Sequence, residues 1–188
     1  MKEIKESNKY DVITEDTLKK ELTESEIDAL RQRAKDNKFH ETIEQVYADE
    51  IFNHEHHNCM RLPDGRHRFG TIGGGISTII TMQHNKVTSI KLRCHTCDTV
   101  TDITEGLPLP EDADERAKLE KKYPHYADFG MTWVEYARYE KFCEDYKDAI
   151  SNGATVEFGI MGTGLGLLIN VKCSSDNVTY DLTDTDCW

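Results

Sequence analysis

The fold of this chain is decided by two short stretches of its sequence, His56-His57-Asn58-Cys59 and Cys94-His95-Thr96-Cys97. Each stretch carries a pair of metal-binding residues separated by two others, a spacing that turns both side chains toward one point. One imidazole and three thiolates complete a tetrahedral donor set for Zn²⁺. The sequence therefore predicts a zinc site whose ligands are His56, Cys59, Cys94 and Cys97.

The imidazole of this site has two alternatives. His54 and His57 lie beside His56, and either can take its place because an imidazole reaches farther than a thiolate. Four protein ligands leave no open coordination position, which predicts a structural zinc ion and no catalytic one. The run from His54 to Asn58 resembles a zinc-protease motif, but that motif requires a histidine where Asn58 stands. This departure excludes a metalloprotease.

Acidic residues dominate the chain, whose formal net charge is −12. The balance is −5 over residues 1–52, +3 over residues 53–98 and −10 over residues 99–188. A mildly basic zinc module thus lies between acidic segments, which repel nucleic acid and attract basic protein surfaces. The first residues lack the apolar core of a signal peptide, and no apolar run approaches the roughly 20 residues of a membrane span. We expect a cytoplasmic protein whose cysteines are thiols or metal ligands.

The pattern of apolar and turn-forming residues predicts an α+β fold of one domain, residues 1–188. We expect an antiparallel sheet, or two, containing a zinc-ribbon-like knuckle, with helices packed on the flanks. Capping boxes begin helices at Thr23 and at Thr132, and the helix from Thr132 is expected to run to Ser151. A further helix is expected from an apolar stripe of Phe39, Ile43, Val46, Tyr47 and Ile51. Strands are expected at residues 66–72 and, around a turn at 83–86, at 77–82 and 87–93. The domain then divides into four parts: a helical part at 1–52, the β module at 53–104, a second helical part at 111–152, and a C-terminal β-hairpin at 154–188.

The β-rich part of the sequence is repeated. Residues 90–104 align without gaps on residues 169–183, and four positions are identical. This alignment predicts two similar β-hairpins in one sheet, of which only the first keeps a metal knuckle, since Asp176 stands where Cys97 stands. Chance similarity between two short hairpins is the alternative.

A glycine-rich run at residues 162–166, Gly-Thr-Gly-Leu-Gly, invites comparison with dinucleotide-binding loops. Such a loop must open a helix whose N-terminus holds the phosphate. Here an apolar, strand-like segment follows, so the run predicts a turn between strands.

Residues 54–104 resemble the zinc-ribbon class, which occurs in transcription, replication and phage proteins. In overall character, an acidic single domain with a metal staple and no catalytic motif, the chain resembles the small phage-encoded inhibitors of bacterial defence. That group includes the anti-CRISPR proteins that block the Cas9 nuclease. The resemblance implies a protein encoded by a phage or mobile element that is not an enzyme. It also implies a partner with a basic surface, such as Cas9, which is kept from loading DNA.

Acidic residues of the long helix are the expected contacts to that partner: Glu135, Glu140, Glu144 and Asp148. Charge complementarity would steer this surface onto a basic one. The alternative function is that of a zinc-ribbon protein that binds nucleic acid or regulates transcription. The basic residues of the β module would then contact phosphate: Arg61, Arg66, Arg68, Lys91 and Arg93.

Overall fold

The computed structural model describes residues 9–66, 68, 75–123, 128–176 and 178–187. Its described helices are α1 (Glu15–Glu21), α2 (Glu24–Asp36), α3 (Ile43–Glu55), α4 (Ala113–Lys122), α5 (Trp133–Asp145) and α6 (Lys147–Ser151). Its described strands are β1 (Lys38–His40), β2 (Ile76–Gln83), β3 (Lys86–Cys94), β4 (Val100–Asp102), β5 (Asp128–Gly130), β6 (Val156–Gly162), β7 (Leu167–Cys173) and β8 (Thr179–Asp181). The predicted α+β class is confirmed.

The principal sheet has six strands in the order β4-β3-β2-β6-β7-β8, and every neighbouring pair is antiparallel. It therefore consists of two three-stranded meanders joined along β2 and β6. Alternate residues of β6 are buried, beginning with Val156, as the period of two along a strand requires. The short strands β1 and β5 form a separate two-stranded sheet.

Helices cover the apolar face of the six-stranded sheet in two places. Phe52 of α3 packs on Ile90 and Leu92 of β3. Phe142 of α5 packs on the larger core formed with β6, β7 and β8, which includes Phe158. Each half of the sheet therefore has its own covering helix.

Three helices begin where the sequence chemistry places them. Thr23, Thr42 and Thr132 each accept a hydrogen bond from a backbone N–H three residues on, and the Glu or Gln side chain there accepts one from the backbone N–H of the threonine. These capping boxes satisfy amide groups that the first turn of a helix leaves without partners.

Some element boundaries differ from the sequence-based prediction. The helix expected from Thr132 to Ser151 is two helices, because Tyr146 between them has φ −105° and ψ 13° and closes α5 as its cap. Phe39, an apolar residue placed on a helical stripe by its spacing, lies in β1 and pairs with Phe129. A strand expected at residues 66–72 lies largely outside the described residues.

The sequence repeat corresponds to a structural repeat. In the first meander Lys91 pairs with Asp102, and in the second Asn170 pairs with Asp181, so the two registers coincide at the aligned positions. The meanders meet where Ile79 of β2 pairs with Gly159 of β6. A two-fold rotation about this point exchanges the β2–β6 residue pairs on one side of it with those on the other side. The sheet therefore has internal pseudo-two-fold symmetry. The predicted pair of similar hairpins in one sheet is confirmed.

A buried carboxyl group makes the stability of the fold dependent on pH. Glu41, which precedes α3, is 4% exposed. Burial, with a smaller contribution from the charge of Asp49, raises the pKa of Glu41 to about 7. The unfolded chain therefore loses this proton at lower pH than the folded one, and stability falls as pH rises from about 4.5 to 7.

We expect Glu41→Gln to increase the free energy of unfolding by roughly 1–3 kcal/mol at pH 8, because the folded protein no longer buries a charge. The gain should disappear at roughly pH 3, well below both pKa values, where the wild-type carboxyl is neutral in both states. Denaturant unfolding of both proteins at the two pH values measures it. An equal gain at both pH values would show that packing and not ionisation is responsible.

Candidate metal centre

The first pair of candidate ligands lies at the C-terminal end of α3. His56 is the cap of this helix, where its N–H donates to the carbonyl of Phe52 at 3.0 Å. Its ring lies against the Phe52 ring, with 4.2 Å between centroids. Cys59 belongs to the following 3-10 turn, His57–Met60, and its N–H donates to the His56 carbonyl at 2.9 Å. Helix end and turn therefore fix both side chains.

The second pair lies in the turn between β3 and β4. Cys94 is the last residue of β3 and is fully buried, and its N–H donates to the Thr99 carbonyl at 3.0 Å. The N–H of Asp98 donates a hydrogen bond to the Cys94 carbonyl at 2.9 Å. Asp98 adopts φ +58°, a left-handed conformation that aspartate tolerates better than most residues. This tight turn brings Cys97 back beside Cys94.

All four predicted ligands converge. One donor atom from each of His56, Cys59, Cys94 and Cys97 lies within 4.8 Å of the other three. His56 Nδ1 is 3.6 Å from Cys59 Sγ and 3.4 Å from Cys97 Sγ. Tetrahedral bonds of about 2.3 Å to sulfur and 2.0–2.1 Å to nitrogen place ligand atoms about 3.5–3.8 Å apart. The group can therefore hold a metal ion at its centre.

The neighbouring histidines are placed elsewhere. His57 Nε2 accepts a hydrogen bond from Arg61 Nε at 3.0 Å, and His54 is exposed in the last turn of α3. His95, between the two knuckle cysteines, has Nε2 3.0 Å from the Ser77 hydroxyl. Among the three candidates His54, His56 and His57, the metal-binding group within the described residues contains only His56.

The arrangement of donors favours ionisation of one thiol. The Thr99 hydroxyl, 3.1 Å from Cys97 Sγ, and the Thr99 backbone N–H lower the pKa of Cys97 to about 6. Desolvation, together with the neighbouring Cys97 and Cys94, raises the pKa of Cys59. Cys97 is thus the ligand best prepared to bind a cation as a thiolate. Thr99 was not among the residues predicted from the sequence, although a hydroxyl residue two positions after a candidate ligand can be recognised there.

The arrangement of the four candidate ligands differs in one respect from a zinc ribbon. Only Cys94 and Cys97 lie on a β-turn, whereas His56 and Cys59 lie on a helix end.

Models of known protein families, curated proteins and solved structures were compared with the chain, and none of them matches it. Within the part of the chain that the structure describes, no helix is long and apolar enough to cross a membrane.

The four acidic residues predicted to contact a partner lie in different environments. Glu135 is 4% exposed and accepts hydrogen bonds from the N–H groups of Thr132 and Asp184 at 2.8 and 3.0 Å. Glu140 forms a two-point ion pair with Arg33. Glu144 and Asp148 are exposed. These two side chains are the most open to solvent of the four, although Glu144 also pairs with Lys141 at 3.1 Å, and they carry the prediction forward.

We expect Thr99→Val to weaken metal retention in acid. Protons compete with the metal for thiolates, so the ion is held at high pH and released as pH falls. Loss of the hydroxyl donor raises the pKa of Cys97 and should shift the midpoint of release upward by roughly half a pH unit. A pH titration with Co²⁺, followed by its thiolate absorption, measures the shift. Thr101→Val, at an exposed position on β4, should leave the midpoint unchanged, and an equal shift in both variants would contradict the role of Thr99.

Proposed function

We propose that the chain binds one structural Zn²⁺ through His56 Nδ1 and the sulfur atoms of Cys59, Cys94 and Cys97. The observation that carries this proposal is the convergence of one imidazole and three thiols to within 4.8 Å. Such a nitrogen and sulfur set favours zinc over the oxygen-preferring divalent ions. Four protein donors close the coordination shell, which supports a structural role.

The proposed ion joins parts of the chain that are distant in sequence. His56 and Cys59 follow α3, whereas Cys94 and Cys97 lie between β3 and β4. Metal ligation would therefore fix the end of a helix against the sheet that the helix covers. In proteins of this kind, the binding free energy of the metal contributes directly to the stability of the fold.

Protein purified without added metal should contain one equivalent of zinc. Cys94→Ser and Cys97→Ser should lose the ion and unfold or aggregate, because a ligand is lost and the fold depends on the site. Elemental analysis and circular dichroism measure both effects. Cys143→Ala combined with Cys173→Ala is the control, since neither residue belongs to the group, and it should keep its zinc. Less than about half an equivalent in the wild type, with no refilling by added zinc, would contradict the site.

We propose further that the protein acts by binding another protein, as an inhibitor or regulator of a bacterial nucleic-acid-handling enzyme. The acidic composition supports this, with a balance of −10 after residue 98. A protein of this charge is attracted to the basic channel in which a nuclease such as Cas9 binds DNA, and covering that channel would prevent DNA loading. Phage or mobile-element origin and a bacterial cytoplasmic site of action belong to the same proposal.

The alternative of nucleic-acid binding has less support from the surface. Arg66 and Arg93 are each engaged by an aspartate, Asp64 at 2.6 Å and Asp98 at 2.6 Å. An arginine held by a carboxylate offers less charge to phosphate. A salt titration separates the two proposals, because phosphate contacts give a steep, linear loss of log affinity with log salt.

Charge reversal of Glu144 and Asp148 to Lys should slow association with a basic partner, tested with Cas9 loaded with guide RNA. The loss should be severalfold at low salt and shrink as salt rises, because the Debye length is only about 10 Å at 0.1 M. Surface plasmon resonance at several salt concentrations measures the rates. Zinc content and circular dichroism should not change.

Asp114→Lys combined with Glu120→Lys, at exposed positions of α4, is the matched control with the same change in net charge. Equal slowing by both pairs would show that net charge, and not the α5–α6 surface, steers association. Association rates that change neither with charge reversal nor with salt concentration would contradict the electrostatic mechanism. Catalytic cleavage of DNA, RNA or peptide that is lost in Cys94→Ser would contradict the binding-protein proposal itself.

A further inference from the structure

The pseudo-two-fold symmetry of the sheet extends to the helices. α3 and α5 both contain 13 residues, and both begin after a threonine that forms a capping box, Thr42 and Thr132. Three residues before each threonine is a phenylalanine, and these two, Phe39 and Phe129, pair directly between β1 and β5. Corresponding residues are 90 positions apart throughout this part of the chain.

An interhelical contact repeats at the same offset. Glu140 of α5 binds Arg33 of α2, and Glu50 of α3 binds Lys122 and Tyr123 at the end of α4. The chain thus contains two copies of one unit: a helix, a short strand, a second helix and a three-stranded meander. The metal centre belongs to the first copy, so its position in the second copy can be located residue by residue.

The helix side of that position retains the backbone of the metal centre. Tyr146 corresponds to His56, and both cap their helix, with φ and ψ of −105° and 13° against −93° and 6°. Each donates its N–H to a phenylalanine carbonyl at 3.0 Å, and each ring lies on that phenylalanine, with centroids 4.7 and 4.2 Å apart. Ala149 corresponds to Cys59 in sequence, but the turn differs: Cys59 lies in a 3-10 turn and its N–H donates to the His56 carbonyl, whereas Ala149 lies in α6, where the N–H of Ile150 donates to the Tyr146 carbonyl at 2.9 Å.

The strand side is conserved as well. Cys173 corresponds to Cys94, ends its strand in the same way and is likewise fully buried. Asp176 corresponds to Cys97, and its Oδ1 accepts the N–H of the residue two positions on, Val178, at 3.0 Å. Cys97 receives the equivalent bond from Thr99. A carboxylate has taken the place of a thiolate with the same backbone donor.

Direct contact replaces the metal in the second copy. The Tyr146 hydroxyl donates to Asp176 and lies 2.9 Å from the Tyr180 hydroxyl. This hydrogen bond joins the helix end to the turn between β7 and β8, the same two places that the metal centre joins in the first copy.

We infer that residues 146, 149, 173 and 176 constitute a second, latent metal-binding position, in which a tyrosine–aspartate hydrogen bond replaces the ion. The helix cap and the strand end that position donors in the first copy are kept, and one ligand, Cys173, is still present. Three substitutions should therefore restore a zinc site. The inference goes beyond the proposed function, because it concerns a position to which the native chain assigns no ion.

The test is a variant of the full chain carrying Tyr146→His, Ala149→Cys and Asp176→Cys. It should bind two equivalents of Zn²⁺, and its Co²⁺ complex should show about twice the thiolate charge-transfer absorption of the wild type. The matched control is Tyr146→His, Ala149→Ser and Asp176→Ser, which has similar volumes but lacks the new thiols. It should bind one equivalent.

A folded triple variant that binds no more zinc than the wild type would overturn the inference. So would a variant that stays unfolded in saturating zinc, because the inference holds that the backbone is already arranged for the ion. If wild type binds no zinc and the triple variant binds one equivalent, the latent position stands and the proposed native site falls. The two hypotheses are therefore distinguishable in one set of titrations.

The reciprocal variant provides an independent test. It carries His56→Tyr, Cys59→Ala and Cys97→Asp, which place the tyrosine–aspartate hydrogen bond of the second copy in the first copy. This protein should bind no zinc, yet it should remain folded and melt at a higher temperature than Cys97→Asp alone, which lacks the tyrosine partner. Equal or lower thermal stability would contradict the equivalence of the two positions.

Discussion

The end of α3 meets the turn after β3 where His56 Nδ1 lies 3.4 Å from Cys97 Sγ, and this is the junction that the proposed zinc ion would fix. Among the described residues, the core beneath α3 has six buried members: Ala48, Phe52, Ile90, Leu92, Cys94 and Ile103. The larger core, beneath α5, has thirteen. A small core contributes little free energy beyond the entropy cost of ordering the chain, and a metal ion is a common supplement in such cases. The proposed zinc therefore lies beside the smaller of these two cores.

The second half meets the same geometric requirement with aromatic side chains. Tyr10, from the segment before α1, packs edge-on against Tyr180 and Phe142, with centroids 5.1 and 6.2 Å apart. Tyr146 completes the cluster and hydrogen-bonds to Asp176. Offset and edge-to-face aromatic pairs add to the gain from burial. A hydrogen bond then joins helix and turn in the second half, where the first half has four candidate metal ligands.

Charge and fold have separate roles in the proposed function. The acidic residues after residue 98 lie largely on helices and loops outside the sheet. Some of their carboxylates already take part in contacts within the protein: Glu135 in a helix cap and Glu140 in an ion pair. The exposed carboxylate of Asp148 remains for a partner, and that of Glu144 is exposed but also pairs with Lys141. The two outermost strands, β4 and β8, have only three residues each, which limits pairing with another chain along the sheet edges. Helical surfaces are therefore the better candidates for recognition.

The sequence by itself determined features that depend on short-range spacing. Such features arise from residues a few positions apart, because a helix or a turn fixes their relative placement. They are the candidate ligand pairs, the capping boxes at Thr23 and Thr132, and the strands on either side of the turn after Gln83. The alignment of the two hairpins was also visible, because strand pairing preserves its pattern of residues. Only the tertiary structure decided which histidine faces the thiols, since His54, His56 and His57 differ by rotation about one helix end. Only it showed that Glu135 is buried, that the helix breaks at Tyr146, and that Tyr146 meets Asp176, because these contacts join segments whose separation in space no local pattern encodes.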